Sequence, residues 1–542
     1  MSASSVKPGS FLPRLLSSLR AFLLIPEPND SDCWFDNIEL AQLHTSTAMP
    51  TEACIDVQTW GDLLLEQYAS LLSAGVSIFG QQVLHRRLRA GLDETACAAQ
   101  MARVKALTAD PEQLAALDRA CQPLRRAQTE IADLLFGART PKDEPAWSRY
   151  IGIVGPIFLA SVALTFVWPL AWAAVGISFA TLLAIRSRYT RAVGQWDMSL
   201  ASLQQLLGVG SALGARSEPM LRPFLRLHAR AGQISRSLSR TPLLALIPGA
   251  KDYLDWFMLD NVRHYFKSVA RVQADIDYLR ECYLLIANLE ADIALARHLL
   301  ATPGVCWAER HAGIDIALEQ VVHPLLARAA PLSIALAGKG AFISGQNGIG
   351  KSTLLRTIGL NLVVARAFGF CYARSAVVPT RPVYASIQNE DSLLGGESLY
   401  MAELRRAREL LASADGPHPG IYIVDEIFRG TNHLESVSAA AAVLDALAAK
   451  GVVIVSSHNL VLAPLLEHCL TPLYMRAPGG DPSRLALEPG VLAHTNGISL
   501  LSERGFDTRV QESAGKVFDW LSGYLAHPAD CGHLLATPRC GN

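Results

Sequence analysis

Gly345, Gly348 and Gly350 lead directly into Lys351, Ser352 and Thr353 in the segment GQNGIGKST, a spacing suited to cradling phosphate. Glycines let the backbone turn tightly, so that its N–H groups and the start of the following helix point at an anion. Lys351 is expected to reach the β- and γ-phosphates of a nucleotide, and Ser352 to place its hydroxyl on Mg²⁺. Further on, IYIVDE ends in Asp425 and Glu426. Asp425 is the expected Mg²⁺ partner, and Glu426 is placed to orient or deprotonate an attacking water. VVIVSSHN then brings His458, expected to sense the γ-phosphate. This chemistry is ATP hydrolysis, with ATP and Mg²⁺ as the cofactors.

These residues need rigid elements to hold them. AFIS, IYIVD and VVIVSS are apolar runs of the kind buried on both faces of a parallel sheet. Open α/β sheets bind ligands beyond the C-terminal ends of such strands, where all of these polar residues lie. The pattern predicts an α/β P-loop NTPase domain over residues 311–525.

The motifs carry a resemblance to the MutS family of mismatch-repair ATPases. GQNGIGKST is similar to that family's GPNMGGKST, with Asn347 retained; DEIFRGTN resembles DEIGRGTS, and SSHN resembles THY. His323 and Pro324 match an HP element ahead of the nucleotide site, and EDSLLGGESLYMAEL is similar to the signature DxxxxGxSTFMxEM. NGISLLSERGFDTRVQESAGKVFDWL resembles the family's closing helices, so the likeness runs from about Ile314 to Leu525. It implies that Gly345, Asn347, Gly348, Gly350, Lys351, Ser352 and Thr353 bind nucleotide. It also implies that Ser398 reaches the γ-phosphate of a partner subunit in trans, as in the wider ABC class, within a homodimer. Arg429, Gly430 and Thr431 would lie at the dimer junction. Leu399, Phe428 and Asn459 depart from the pattern; the changes at Phe428 and Asn459 leave the phosphate chemistry intact and bear on the allosteric surface.

The rest of the chain is read from composition. It is 50% hydrophobic with a positive mean hydropathy, and its net charge of −1 gives no global case for nucleic acid. Its 10 cysteines contain no CxxC pair, which points to a reduced, cytosolic compartment. Cys531, His533 and Cys540 read as part of a frayed tail. Residues 151–185 carry no charge, and Trp168-Pro169 breaks them near the middle. They are expected to form a transmembrane hairpin, with a re-entrant loop or a single tilted span as the alternative, touching membrane lipid within an all-α helical core. Arg149, Arg186, Arg188 and Arg191 flank it, so the positive-inside rule puts both termini and the ATPase domain in the cytosol, at an inner or cytoplasmic membrane.

The expected organisation is therefore a tail over 1–40, read equally as a surface helix or a packed N-terminal helix, and a first helical part over 41–145, where GQQVLHRRLRAGL is similar to a segment of the MutS core. The hairpin follows over 146–190, a lever over 191–310, the ATPase domain over 311–525, and a tail over 526–542. Arg216, Arg222, Arg226, Arg230, Arg236 and Arg240 form a basic stretch opposed by Glu218 alone. Spacing of four sets Arg222, Arg226 and Arg230 on one helix face, where they would meet a phosphate backbone or lipid headgroups or stand as a solvated face. No mismatch-reading domain or Phe-x-Glu wedge is found. The leading expectation is a membrane-anchored MutS-type ATPase coupled to DNA. An ATP-gated scaffold with a protein partner is the alternative, and an ABC-type transporter is disfavoured by one hairpin per chain.

Overall fold

The computed structural model describes residues 35–137, 146–240, 250–387, 399–481, 484–492 and 505–525. The described chain is helical as far as Ala301 and α/β beyond it. Among the helices, α1 (Ile78–Ala90) ends at Gly91, whose φ of +74° is left-handed, and a Cβ there would meet the Arg366 side chain at 2.7 Å. α2 (Glu94–Ala109) starts from Asp93, whose carboxylate accepts from the Ala96 N–H at 2.8 Å.

The hairpin expectation is corrected by the structure. α3 (Ile151–Leu164) has 14 residues, which at 1.5 Å rise reach ~21 Å against a hydrocarbon core of ~30 Å. α4 (Ala171–Gly214) is 44 residues long, but Arg186, Arg188 and Arg191 enter the same helix and end its apolar part. Among the described residues no helix is long and apolar enough to cross a membrane. The break at Trp168-Pro169 leaves neither arm enough length. The membrane localisation, the lipid contact and the topology drawn from that segment fall with it. The base of the hairpin is instead pinned by protein: Ile151 and Leu182 pack with Leu259, Val262 and Phe266, and Phe158 stacks on Phe257 at 5.9 Å.

α5 (Ile276–Ala301) leads out of the helical part, with an unbroken buried run from Leu289 to Ala296. The α/β part is built on a six-stranded sheet. Its strands are β1 (Gly340–Gly345), β2 (Val383–Ser386), β3 (Ile421–Asp425), β4 (Val452–Ser456), β5 (Leu470–Arg476) and β6 (Ala486–Pro489). The order is β6-β5-β1-β4-β3-β2, with only β6 antiparallel. β1, β3 and β4 are buried at every position, as their unbroken apolar runs require. A four-stranded sheet flanks it, and its strand Glu309–His311 pairs with Ser375–Pro379.

α6 (Lys351–Phe368) follows β1 and buries fifteen of its eighteen residues. One face lies on the sheet, where Ile358 and Leu362 join a core containing Ile343 and Ile454. The other meets the helical part: a Cβ on Gly359 would stand 2.5 Å from Leu63, and Arg366 donates to the Ala90 carbonyl at 2.6 Å. The helical and α/β parts thus share one hydrophobic core.

Candidate nucleotide site

The sheet brings the polar ends of three strands together. β1 runs into the glycine loop, where Gly348 and Gly350 have φ of +77° and +102°. A Cβ at Gly348 would meet nothing within 4 Å and one at Gly350 only the tip of Met475 at 3.9 Å, so these glycines serve the turn and leave its face open. Lys351 is the first residue of α6, and its ammonium donates to the carbonyls of Gly345 (3.0 Å) and Gln346 (3.1 Å). Burial lowers its pKa, while Glu426 and Asp425 pull it back up.

β3 and β4 are in register with Asp425 opposite Ser456. The Ser456 hydroxyl hydrogen-bonds the Asp425 carboxylate, and the Ser456 carbonyl accepts from the Glu426 N–H at 2.9 Å. Glu426 has φ of +51°, which turns its side chain out of the strand line. Its two oxygens meet different partners: His458 Nε2 at 2.6 Å and Arg429 Nη1 at 3.3 Å. The His458 hydrogen bond holds the carboxyl below the ordinary range, against the upward push of partial burial, with help from the Arg429 and Lys351 charges. Lys351, Asp425, Glu426 and His458 therefore form one cluster.

Glu403, on α7 (Leu399–Ala414), was not singled out from the sequence. Its side chain is fully buried, and its carboxylate accepts from the backbone N–H groups of Arg429 (3.1 Å) and Gly430 (3.2 Å). The Arg429 guanidinium lies 3.8 Å from it as well. Phe428 in this turn has φ of +58°, is 1% exposed, and meets Tyr400 edge-on. The turn after β3 and the start of α7 are thereby locked together. The signal for Glu403 was its place in SLYMAEL; the signal for Ser456 was a polar residue closing an apolar strand. Phe428, a departure from the family pattern, is a core residue.

The remaining expected residues divide. Thr431 bonds Glu435 at 2.7 Å and Asn432 caps α8 (His433–Ala448), so this stretch is tied into its own helix start. His323 is buried beside α6, its pKa lowered by burial and by Arg356 to about 4. Ser398, Cys531, His533 and Cys540 lie outside the described residues. The shared face of Arg222, Arg226 and Arg230 is corrected: a 3-10 segment over Pro219–Arg226 gives way to a separate helix over His228–Leu238. Arg226, Arg230 and Arg240 face Glu281, Asp275 and Asp255, and Arg216 faces Glu218.

The donor set suits a magnesium nucleotide. Left-handed glycines open toward the loop face, a buried lysine supplies charge, a buried aspartate ends β3, and Ser352 stands in the first turn of α6. Gly345, Asn347, Gly348, Gly350, Lys351, Ser352 and Thr353 would hold the phosphates, and Ser352 with Asp425 would hold Mg²⁺.

In comparison with known proteins, residues 341–478 match the family description MutS domain V. That segment resembles domain V of the MutS proteins. It is 36% identical over 173 residues to the endonuclease MutS2 of Thermus thermophilus, covering 31% of this chain and 22% of that protein. It is 27% identical over 256 residues to the DNA mismatch repair protein MutS of Thermus thermophilus, covering 45% and 30%. With the DNA mismatch repair protein msh3 of Aspergillus fumigatus it shares 31% identity over 186 residues, 33% and 16% of the two chains. The chain thus spans between about a sixth and a third of the length of these relatives.

Proposed function

We propose that this protein is a MutS-type ATPase whose nucleotide cycle drives two copies together and is coupled to DNA binding. The convergence of Lys351, Asp425, Glu426 and His458 at the C-terminal ends of β1, β3 and β4 carries the reading. Lys351 and the loop N–H groups bind and orient the phosphates, and Mg²⁺ supplies charge neutralisation where Ser352 and Asp425 would hold it. Glu426 is kept ionised by His458, the state a general base requires, but both of its oxygens are engaged. Arg429 must release one of them before Glu426 takes a proton from water. His458 then keeps the carboxylate aimed. Ser398 is assigned to the partner's γ-phosphate.

DNA as the ligand is supported by two of the relatives, the DNA mismatch repair proteins MutS and msh3. The arginine pairing favours a second reading, in which the ATP cycle acts on a protein partner, because four of the six arginines already face acidic residues. Two measurements test the proposal. Glu426→Gln should retain ATP and accumulate as a dimer with hydrolysis largely lost; unchanged turnover would remove Glu426 from the reaction. Binding of homoduplex, mismatched and branched DNA, with and without ATP across a salt series, separates the ligands. ATP-dependent binding supports DNA, and binding no greater than the ATP-free, salt-labile background leaves the protein partner.

A further inference from the structure

Away from the nucleotide site, a cavity of about 580 Å³ opens between α2, α5 and the 3-10 segment Pro219–Arg226. That volume falls within the range of small-molecule sites, ~300–1,000 Å³. Leu92, Met220, Phe224, Leu285 and Leu289 give it apolar walls. Gln100, Arg87, Arg103 and Asn288 also line it.

The polar groups are unevenly satisfied. Gln100 is 1% exposed, and its amide nitrogen donates to the Phe368 carbonyl at 3.2 Å. That bond fixes which way the amide points, and the other end, Oε1, is buried with no hydrogen-bond partner among the described residues. An orphaned buried acceptor is disfavoured unless a donor meets it. Arg87 spends its terminal nitrogens on Asp292 (2.8 Å) and Asn288 (2.6 Å). Arg103 reaches the same Asp292 through Nε at 2.6 Å, and its terminal amino groups meet no acceptor among the described residues. Two guanidinium groups thus share one carboxylate, an excess of one positive charge. Glu281 at the rim does not cancel it, because Arg226 faces Glu281 at 3.7 Å.

We propose that this cavity binds a small amphipathic anion: an apolar body against the leucine walls, an anionic head on Arg103, and a hydroxyl or N–H donor on Gln100. The site lies at the rear of the P-loop helix, since the Gln100 amide holds the carbonyl of Phe368, the last residue of α6. An effect of occupancy on ATP turnover would rest on the ATPase reading; binding itself does not.

The test is calorimetric titration of the full chain with 3-hydroxydecanoate, which carries all three features, and with decanoate, which lacks the hydroxyl. Saturable one-to-one binding is expected for 3-hydroxydecanoate. It should weaken about tenfold for decanoate and at least as much with Arg103→Met, the scale of one lost hydrogen bond to a buried or charged group. Ala99→Trp is a second variant: Ala99 lines the cavity from an exposed helix position, so the indole fills the space without entering the core. It should abolish binding. Absence of saturable binding, or affinity unchanged in both Arg103→Met and Ala99→Trp, overturns the proposal.

Discussion

Replacing Glu403 by glutamine tests whether the turn after β3 is held from α7. The carboxylate accepts two backbone N–H groups, at 3.1 and 3.2 Å, in a fully buried position. A glutamine of the same shape presents one oxygen and one NH₂, so one of those N–H groups faces another donor. Losing a hydrogen bond to a charged acceptor and stranding its donor costs roughly 2–3 kcal/mol. The turn it steadies contains two non-glycine residues in left-handed backbone, Glu426 at φ +51° and Phe428 at φ +58°. Each such residue stores ~1–3 kcal/mol, so the loss is comparable to the strain being restrained. Glu426 would sample other orientations, and kcat should fall by roughly 30- to 100-fold, at 1.4 kcal/mol per tenfold. Lys351 and the glycine loop do not touch Glu403, so KM for ATP should change less than about threefold. A coupled ATPase assay over an ATP series, with circular dichroism to establish folding, reads both quantities. A folded variant with wild-type kcat, or one whose defect lies wholly in KM, would refute the argument.

Three further outcomes are expected. In His458→Gln, Glu426 loses the hydrogen bond that most lowers its pKa, so its carboxyl rises toward the ordinary value of 4.5. The stabilisation from that contact is present above 4.5 and lost as pH falls through the depressed folded value; the acid limb of kcat should therefore move to higher pH in the variant, and an unmoved limb counts against the contact. Mixing Ser398→Arg with Lys351→Ala subunits should restore at most one working site per dimer, and ATP turnover near the full wild-type rate argues against a site shared between copies. Arg366→Met leaves the carbonyls of Ala53 and Ala90 without their guanidinium partner, and should lower the urea midpoint by an amount equivalent to about 2–4 kcal/mol; an unchanged midpoint would deny that contact its role.

The nucleotide site was legible because its chemistry is local. GQNGIGKST and IYIVDE each place their polar residues at the end of an apolar run, and a buried parallel strand is the element such a run makes. Asp425 against Ser456 was not legible, because strand register joins residues far apart in sequence. Glu403 was hidden for the same reason: its partners are backbone N–H groups on another element, which no side-chain pattern announces. The uncharged stretch over 151–185 is apolar enough for a membrane but lacks the unbroken helical length to span one. Pro169 and the early return of arginine in α4 limit its apolar arms, and contacts with Leu259 and Phe266 supply a protein setting. The arginine spacing misled because Pro219 and Pro223 turn the chain into a 3-10 segment before a new helix starts.

The shared core around α6 bears on how this chain could be recombined. Its P-loop helix meets Leu63 closely at Gly359, and Arg366 reaches back to two carbonyls of the helical part. A domain V grafted from a relative would bring a correct catalytic face with a foreign rear face, so chimeras cut near residue 311 should fold poorly even where every nucleotide motif is retained. Productive exchange would have to carry the helices around Leu63 and Ala90 along with the loop they support. The unit of inheritance here is therefore larger than the motif-bearing segment.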